Sequence, residues 1–180
     1  LIMTNKNIAD NTQNSPQLFI MMGVSGTGKT AIGKMLVQAL IPIGKQKLNS
    51  EVKQQLVFVD ADDFHTPQAK ARMSANLPLT DAMRKPWIKA LITHLQRLYK
   101  QHSHVVLAYS GLKYQHRQCF RELAFTCQFY YLTAELPIIR ARMLARQGHF
   151  FSAKLLESQF SAMEALEPDE NDVILIDVSG

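Results

Sequence analysis

The chain has 180 residues, enough for one domain with a complete hydrophobic core and too few for two ordinary ones. Hydrophobic residues make up 47% and charged residues 19%, a balance typical of globular proteins that excludes a disordered chain. The formal net charge of +5 is spread along the sequence without a basic run, so a small anionic partner is favoured over nucleic acid.

Neither cysteine content nor hydropathy indicates secretion or a membrane partner. Cys119 and Cys127 lack metal-ligand spacing and are too few for a disulfide framework, which predicts reduced thiols. No segment approaches the ~18 consecutive apolar residues of a membrane span. Residues 1–17 are polar and carry no secretion signal, so we expect a disordered lead-in and a cytoplasmic protein.

Strands and helices alternate along the rest of the chain. Short apolar runs predict strands over 18–22, 56–59, 104–109, 128–132 and 173–177. Apolar residues at helical spacing predict helices over 29–40, 66–73, 85–100, 113–123, 136–146 and 152–163. The segment 41–55 contains Pro42 and Gly44 and predicts a loop or a partly helical excursion. The alternation predicts one α/β domain over 18–180, with a five-stranded parallel sheet and helices on both faces.

A phosphate-binding motif lies between the first predicted strand and the first predicted helix. Residues 23–30 read Gly-Val-Ser-Gly-Thr-Gly-Lys-Thr, a complete G-x-x-x-x-G-K-[ST] pattern. Glycines let backbone N–H groups wrap phosphate oxygens, and the following helix adds its positive N-terminal end. The predicted nucleotide-binding residues are Gly23, Ser25, Gly26, Thr27, Gly28, Lys29 and Thr30. A glycine-rich turn that matches by chance is disfavoured by the strand–helix setting, but the motif alone does not separate kinases from GTPases or ATPases.

Acidic residues follow the second predicted strand. In an open parallel sheet, ligands bind beyond the carboxyl ends of the strands, so these carboxylates are expected to face the phosphate-binding loop. Alternation along an extended chain would put Asp60 and Asp62 on one side. Together with the Thr30 hydroxyl, one of these two carboxylates could hold Mg²⁺ through water, while the other orients the attacking hydroxyl or accepts its proton. A solvated turn or a helix cap is the alternative for this cluster.

From about residue 18 to residue 177 the chain resembles the gluconokinases of the P-loop type. The most specific segments read Pro-Leu-Thr-Asp-Ala-Met-Arg-Lys-Pro-Trp at 78–87 and Arg-Gln-Gly-His-Phe at 146–150. The stretches 60–65, 110–114 and 158–160 add to the resemblance. It implies a P-loop NTPase fold of nucleoside-kinase type, with ATP and Mg²⁺ as cofactors and transfer of phosphate to the 6-hydroxyl of D-gluconate. It places Asp62 nearest the reacting hydroxyl as a catalytic residue, which leaves Thr30 and Asp60 as the predicted Mg²⁺ ligands. The implied substrate-binding residues are Asp62, His65, Arg84, Lys113, Arg117 and His149.

Several of these residues have a structural alternative. His65 could cap the next helix, Arg84 could belong to a surface salt bridge, and Lys113 could begin a solvated helix. Trp87 is interpreted as core packing.

The family resemblance also implies an arginine-bearing lid over ATP at about 142–152. Arg142 and Arg146 are four residues apart and share a helix face, so both can reach one phosphate chain. We expect both to be catalytic and Arg142 also to bind ATP, because guanidinium groups stabilise the charge of the transferring phosphoryl group. An ordinary basic helix face, with Arg140 included, is the alternative. The substrate-binding excursion is predicted at about 61–103.

The chain departs from the family pattern at several positions. Thr66, Ala69, Asn76 and Met83 replace the usual proline, asparagine, glycine and acid. Family members also continue past the fifth strand with a C-terminal helix, and the resemblance suggests a homodimer. Two other functions stay open: a kinase for another small acceptor, such as shikimate or a related sugar acid, and a nucleotide-binding protein without catalytic activity.

Overall fold

Five parallel strands form the centre of the molecule. The computed structural model describes residues 15–47, 55–145 and 153–180. The strands are β1 (Gln17–Met22), β2 (Leu56–Asp60), β3 (His104–Ala108), β4 (Thr126–Thr133) and β5 (Val173–Asp177). Their order is β2-β3-β1-β4-β5, with every neighbouring pair parallel. The predicted five-stranded parallel sheet is confirmed, and each strand lies within two residues of its predicted bounds.

The described part of the chain contains six α-helices and a short 3₁₀ turn. They are α1 (Lys29–Lys47), the 3₁₀ turn (Ala61–Phe64), α2 (Pro67–Ser74), α3 (Asp81–Lys100), α4 (Tyr114–Arg121), α5 (Leu136–Ala145) and α6 (Ala153–Ala162). The predicted end of the first helix at residue 40 is wrong, because α1 continues through Pro42 and Gly44. A single proline or glycine is weak evidence for the end of a helix, because the surrounding helix-forming residues and the packing of the helix can outweigh it.

Helices cover both faces of the sheet, as the strand–helix alternation predicts. On one face, alternate residues of β1 and β3 pack with Leu91 and Leu95 of α3 and with Phe120 of α4. On the other face, α1 approaches so closely that a Cβ atom on Gly33 would lie 2.7 Å from the Phe58 ring. That helix therefore requires glycine at this contact with β2. Within the described ranges, no helix is both long and apolar enough to cross a bilayer.

The segment between β2 and β3 holds the 3₁₀ turn, α2 and α3. The Thr66 hydroxyl caps α2 by accepting the Ala69 N–H at 3.1 Å, and Pro67 takes the first helical position, where no N–H is needed. The helix-cap alternative for His65 is therefore wrong for α2, because Thr66 is the residue that caps this helix. Asn76 has a φ of 57°, a left-handed conformation that asparagine tolerates better than most residues, so it can occupy a position where glycine is usual in the family.

Candidate active site

The loop after β1 has the conformation of an anion cradle. A Cβ atom on Gly23 would lie 2.6 Å from the Leu132 carbonyl oxygen, and one on Gly26 would lie 2.8 Å from the side chains of Ile139 and Met143. Both glycines also have positive φ angles, 143° and 87°, so other residues would be strained there. The loop is thus wedged between β4 and α5, with its shape fixed by backbone that only glycine adopts readily.

Two side chains of the loop converge on one carbonyl oxygen. The Val24 oxygen accepts hydrogen bonds from Thr27 Oγ1 and from Lys29 Nζ, each at 2.9 Å. Thr27 is 2% exposed, so its hydroxyl stabilises the loop and does not reach the cleft. Lys29 lies folded against the loop, at the amino end of α1 where phosphates are favoured.

Thr30, in the first turn of α1, and Asp60, the last residue of β2, contact each other. Thr30 Oγ1 donates to Asp60 Oδ2 at 2.9 Å, and Asp60 Oδ1 accepts the Asp62 N–H at 3.1 Å. A hydroxyl and a carboxylate are the oxygen ligands that Mg²⁺ prefers, and Mg²⁺ usually keeps water and substrate phosphates as its other ligands. The two predicted metal ligands therefore fit the ion.

The backbone at Asp62 has a different conformation from the predicted extended one. The chain enters the 3₁₀ turn directly after Asp60, so the alternation argument for Asp60 and Asp62 is wrong. The Asp62 side chain is 84% exposed. Partial loss of hydration, followed by the charge of the Asp60 carboxylate, raises the pKa of Asp62, while Lys29 lowers it. Asp62 is therefore an accessible carboxylate beside the cradle.

His65 is held against Trp87 at the floor of this cleft. The two rings stack with centroids 4.2 Å apart, and His65 Nε2 lies 3.7 Å from Asp62 Oδ1. Burial, helped by the charges of Lys70 and Arg84, lowers the pKa of His65 to about 4, so the ring is neutral near pH 7. Its buried Nδ1 atom has no hydrogen-bond partner among the described residues. Trp87 is 3% exposed and donates to the Ala61 carbonyl at 2.6 Å, which confirms its predicted core role.

Known proteins of similar sequence and fold identify the family. No protein-family model matches the chain. The thermosensitive gluconokinase of Escherichia coli (strain K12) is 36% identical over 161 residues, which cover 89% of this chain and 79% of that protein. The chain belongs to the gluconokinase family. The resemblance predicted from the sequence is confirmed, and so is the assignment as a kinase.

Two crystal structures support the fold of the family. An unliganded sugar kinase from Janibacter sp. HTCC2649 matches with a TM-score of 0.76 and 33% identity, covering 92% of this chain and 87% of the other. A gluconokinase from Sinorhizobium meliloti 1021 matches with a TM-score of 0.73 and 30% identity, covering 92% and 84%. The predicted P-loop kinase fold is therefore confirmed.

Two other cations predicted from the gluconokinase resemblance lie near the cleft and are paired. Arg84 Nη1 contacts Asp81 Oδ1 at 2.7 Å, and the aspartate side chain is 73% exposed while the arginine side chain is 17% exposed. The salt-bridge alternative for Arg84 is therefore present in the structure. Lys113 Nζ contacts Glu164 Oε1 at 3.2 Å. The other oxygen of Glu164 accepts the Tyr114 N–H at 2.6 Å, which ties Lys113 to the start of α4. Substrate binding by Arg84 and Lys113 stays a prediction.

Arg117 has a structural role that the family resemblance did not indicate. It is fully buried and pairs with Glu170 through two hydrogen bonds, at 2.6 and 2.7 Å. It also donates to the carbonyl oxygens of Gly111 and Ala165, at 2.9 and 3.2 Å. The prediction that Arg117 contacts the substrate is wrong in this structure, because all its polar contacts are with the protein interior.

The predicted lid is described only up to Ala145. Arg142 lies in the last turn of α5 and donates to the Gly180 carbonyl at 3.4 Å. Arg140 pairs with Glu157 of α6. Arg146 and His149 lie outside the described residues, so the predicted pairing of Arg142 with Arg146 stays a prediction, as does the substrate contact of His149.

Sequence reasoning missed a contact between α6 and the phosphate-binding loop. Gln159 Oε1 accepts the Ser25 N–H at 2.7 Å, across 134 positions of sequence. The signal that could have found Gln159 is its place in the stretch 158–160, which carries part of the gluconokinase resemblance.

Proposed function

We propose that this chain transfers the γ-phosphoryl group of ATP to the 6-hydroxyl of D-gluconate, giving ADP and 6-phosphogluconate. Proteins named gluconokinase at 31–36% identity support gluconate as the acceptor. The observation that carries the proposal is the 2.9 Å contact of Thr30 with Asp60 beside the cradle, with Asp62 two residues further on. A phosphate cradle and an accessible carboxylate thus share one crevice, as direct transfer between two bound substrates requires.

The site residues would have distinct roles in this phosphoryl transfer. The loop N–H groups and the amino end of α1 hold the phosphates, and Lys29 turns from the Val24 oxygen to a phosphate oxygen. The 6-oxygen of gluconate forms a bond to the γ-phosphorus while the bond from that phosphorus to the bridging oxygen of ADP breaks. The hydroxyl proton passes to the Asp62 carboxylate. Thr30 and Asp60 would hold Mg²⁺, which when bound neutralises charge on the β- and γ-phosphates.

Gluconate binding would use the polar groups beside Trp87. The unpartnered Nδ1 atom of neutral His65 suits a hydroxyl of the acceptor, since a buried polar atom gains most from a partner. Arg84 and Lys113 supply positive charge for the gluconate carboxylate. Each cation would then be shared between gluconate and its present acidic partner, Asp81 for Arg84 and Glu164 for Lys113. Arg142, Arg146 and His149 stay assigned to the lid. The homodimer and the cytoplasmic location stay predictions.

A panel of acceptors tests this function. We expect Mg-ATP turnover, measured by coupled ADP release, to depend on D-gluconate and to be far slower with shikimate and with other aldonic acids. Lys29→Met should abolish the gluconate response, because the phosphates lose their mobile positive charge. ATP binding with no acceptor-dependent turnover would instead favour the inactive nucleotide-binding protein, and preference for another acid would replace gluconate as the substrate.

Replacing the Thr30 hydroxyl tests the metal ligands. We expect Thr30→Val to raise the Mg²⁺ concentration for half-maximal activity by at least roughly 10- to 100-fold, the scale for losing even a residue that only supports a metal ligand. Thr30→Ser keeps the hydroxyl and should behave like the parent enzyme. The measurement is initial rate against free Mg²⁺ at saturating ATP. An unchanged Mg²⁺ dependence in Thr30→Val would remove Thr30 from the metal site.

A further inference from the structure

Helix α6 is docked onto the phosphate-binding loop by one apolar and one polar contact. Leu156 is 1% exposed and packs in a small cluster with Val24 of the loop and Ile139 of α5. One turn further along α6, the Gln159 side-chain oxygen accepts the Ser25 N–H at 2.7 Å. Leu156 accounts for the packing of the helix, so the amide of Gln159 needs a separate explanation.

Five N–H groups of the loop, those of Gly23 and of residues 25–28, fall into two sets. Three are held by the protein: Gly23 N–H by the Ser110 carbonyl at 3.1 Å, Ser25 N–H by Gln159, and Thr27 N–H by the Val24 carbonyl at 3.4 Å. In contrast, the Gly26 and Gly28 N–H groups have no acceptor among the residues that the structure describes. These two glycines have φ angles of 87° and 89°, the conformation that turns successive amides into an anion nest. Among the three held groups, Ser25 alone is anchored by a side chain.

We propose that Gln159 is a positioning residue for ATP: its side-chain oxygen fixes the Ser25 peptide and so aims the following glycine N–H groups at the phosphates. The proposal rests on the proposed function only in requiring ATP as the donor. A neutral amide oxygen suits this place, because it accepts the N–H without adding negative charge beside bound phosphates. Without that acceptor, Ser25 is free to rotate and the cradle must be ordered by the nucleotide itself, which weakens binding.

Two substitutions of similar size separate this role from packing. Gln159→Met keeps the length and the apolar stem of the side chain and removes the acceptor. Gln159→Glu keeps an acceptor oxygen and adds a negative charge at the cradle. Ser161→Ala, at an exposed position of the same helix, is the matched control. The readouts are the Kd for ATP by calorimetry without any acceptor, the KM values for ATP and gluconate, and the melting temperature.

For Gln159→Met we expect the Kd and the KM for ATP to rise about fivefold, the scale of one lost hydrogen bond. The KM for gluconate and the melting temperature should stay at the parental values, as should all readouts of Ser161→Ala. Gln159→Glu should also weaken ATP binding, and high salt should recover part of that loss because it screens the added charge.

Either of two results would overturn the proposal. One is an unchanged Kd for ATP in Gln159→Met. The other is a parallel rise of both KM values with a lower melting temperature, which would mean that Gln159 only supports the packing of α6. Since the Kd for ATP is measured without an acceptor, failure of the gluconate assignment would leave this test intact.

Discussion

Replacing Asp62 by asparagine is expected to lower kcat for gluconate phosphorylation by about 10²–10⁴-fold, the usual contribution of a general base. The amide keeps the size of the side chain but cannot accept the hydroxyl proton. The KM for ATP should change little, because the cradle and the Thr30–Asp60 contact do not use the Asp62 carboxylate. Steady-state kinetics with both substrates varied would measure the two effects separately.

Asp63→Asn is the matched control for this prediction. It removes the same charge one residue away, from an exposed side chain that lines a cavity of about 400 Å³ together with Lys34, Phe58, His94 and the site residue Asp60. We expect Asp63→Asn to keep kcat close to that of the parent, because its carboxylate has no assigned part in metal binding or proton transfer. If Asp62→Asn retained kcat to the same extent, Asp62 would have no role in proton transfer.

The second large effect is on stability. Arg117→Met is expected to lower the free energy of unfolding by about 3–5 kcal/mol, because it leaves the buried Glu170 carboxylate without its main partner. Among the residues that the structure describes, the Glu170 carboxylate would keep Arg121 Nη1 at 2.9 Å and the Glu167 N–H at 2.9 Å as its hydrogen-bond donors. The carbonyl oxygens of Gly111 and Ala165 would lose a donor as well. Denaturant unfolding followed by circular dichroism would measure the change.

Two further variants test whether the loss of stability comes from breaking a buried ion pair, and not from replacing any arginine. Arg140→Met breaks the exposed pair with Glu157 and should cost less than about 1 kcal/mol. Replacing both partners, Arg117→Met with Glu170→Leu, should be less destabilising than Arg117→Met alone, since no uncompensated charge stays buried. A cost for Arg117→Met as small as that for Arg140→Met would contradict the structural role assigned to Arg117.

The Arg117–Glu170 pair also predicts how the free energy of unfolding depends on pH. Burial alone would raise the pKa of Glu170, but hydrogen bonds from Arg117, the Glu167 N–H and Arg121 outweigh it and lower the pKa to about 2. An unfolded glutamate has a pKa of about 4.3, so the stabilisation is complete above roughly pH 5 and is lost as pH falls toward 2. In Arg117→Met, unfolding free energy should therefore fall less steeply over that pH interval than in the parent.

The parts of the fold that were predicted correctly are those encoded by local sequence. The strand Val173–Asp177 was predicted at its observed bounds because a short apolar run bounded by turn residues is typical of a strand in a parallel sheet. The segment 23–30 was predicted as a phosphate cradle because its glycines are needed wherever backbone wraps an anion. The end of α1 was missed, since neither Pro42 nor Gly44 reveals how strongly the rest of the helix packs.

By itself, the sequence determined the strands, the cradle and the acid at the end of β2, because each is encoded in a short stretch of chain. That Thr30 and Asp60 lie near each other was expected because ligands bind beyond the carboxyl ends of parallel strands, and the 2.9 Å contact agrees with it. Only the tertiary structure revealed the contacts of Arg117 and Gln159, whose partners Glu170 and Ser25 lie 53 and 134 positions away. An arginine that binds a ligand and an arginine buried on a glutamate look the same in sequence. They differ in solvent access and in the carboxylates that the folded chain brings to them, which side-chain type and spacing do not encode.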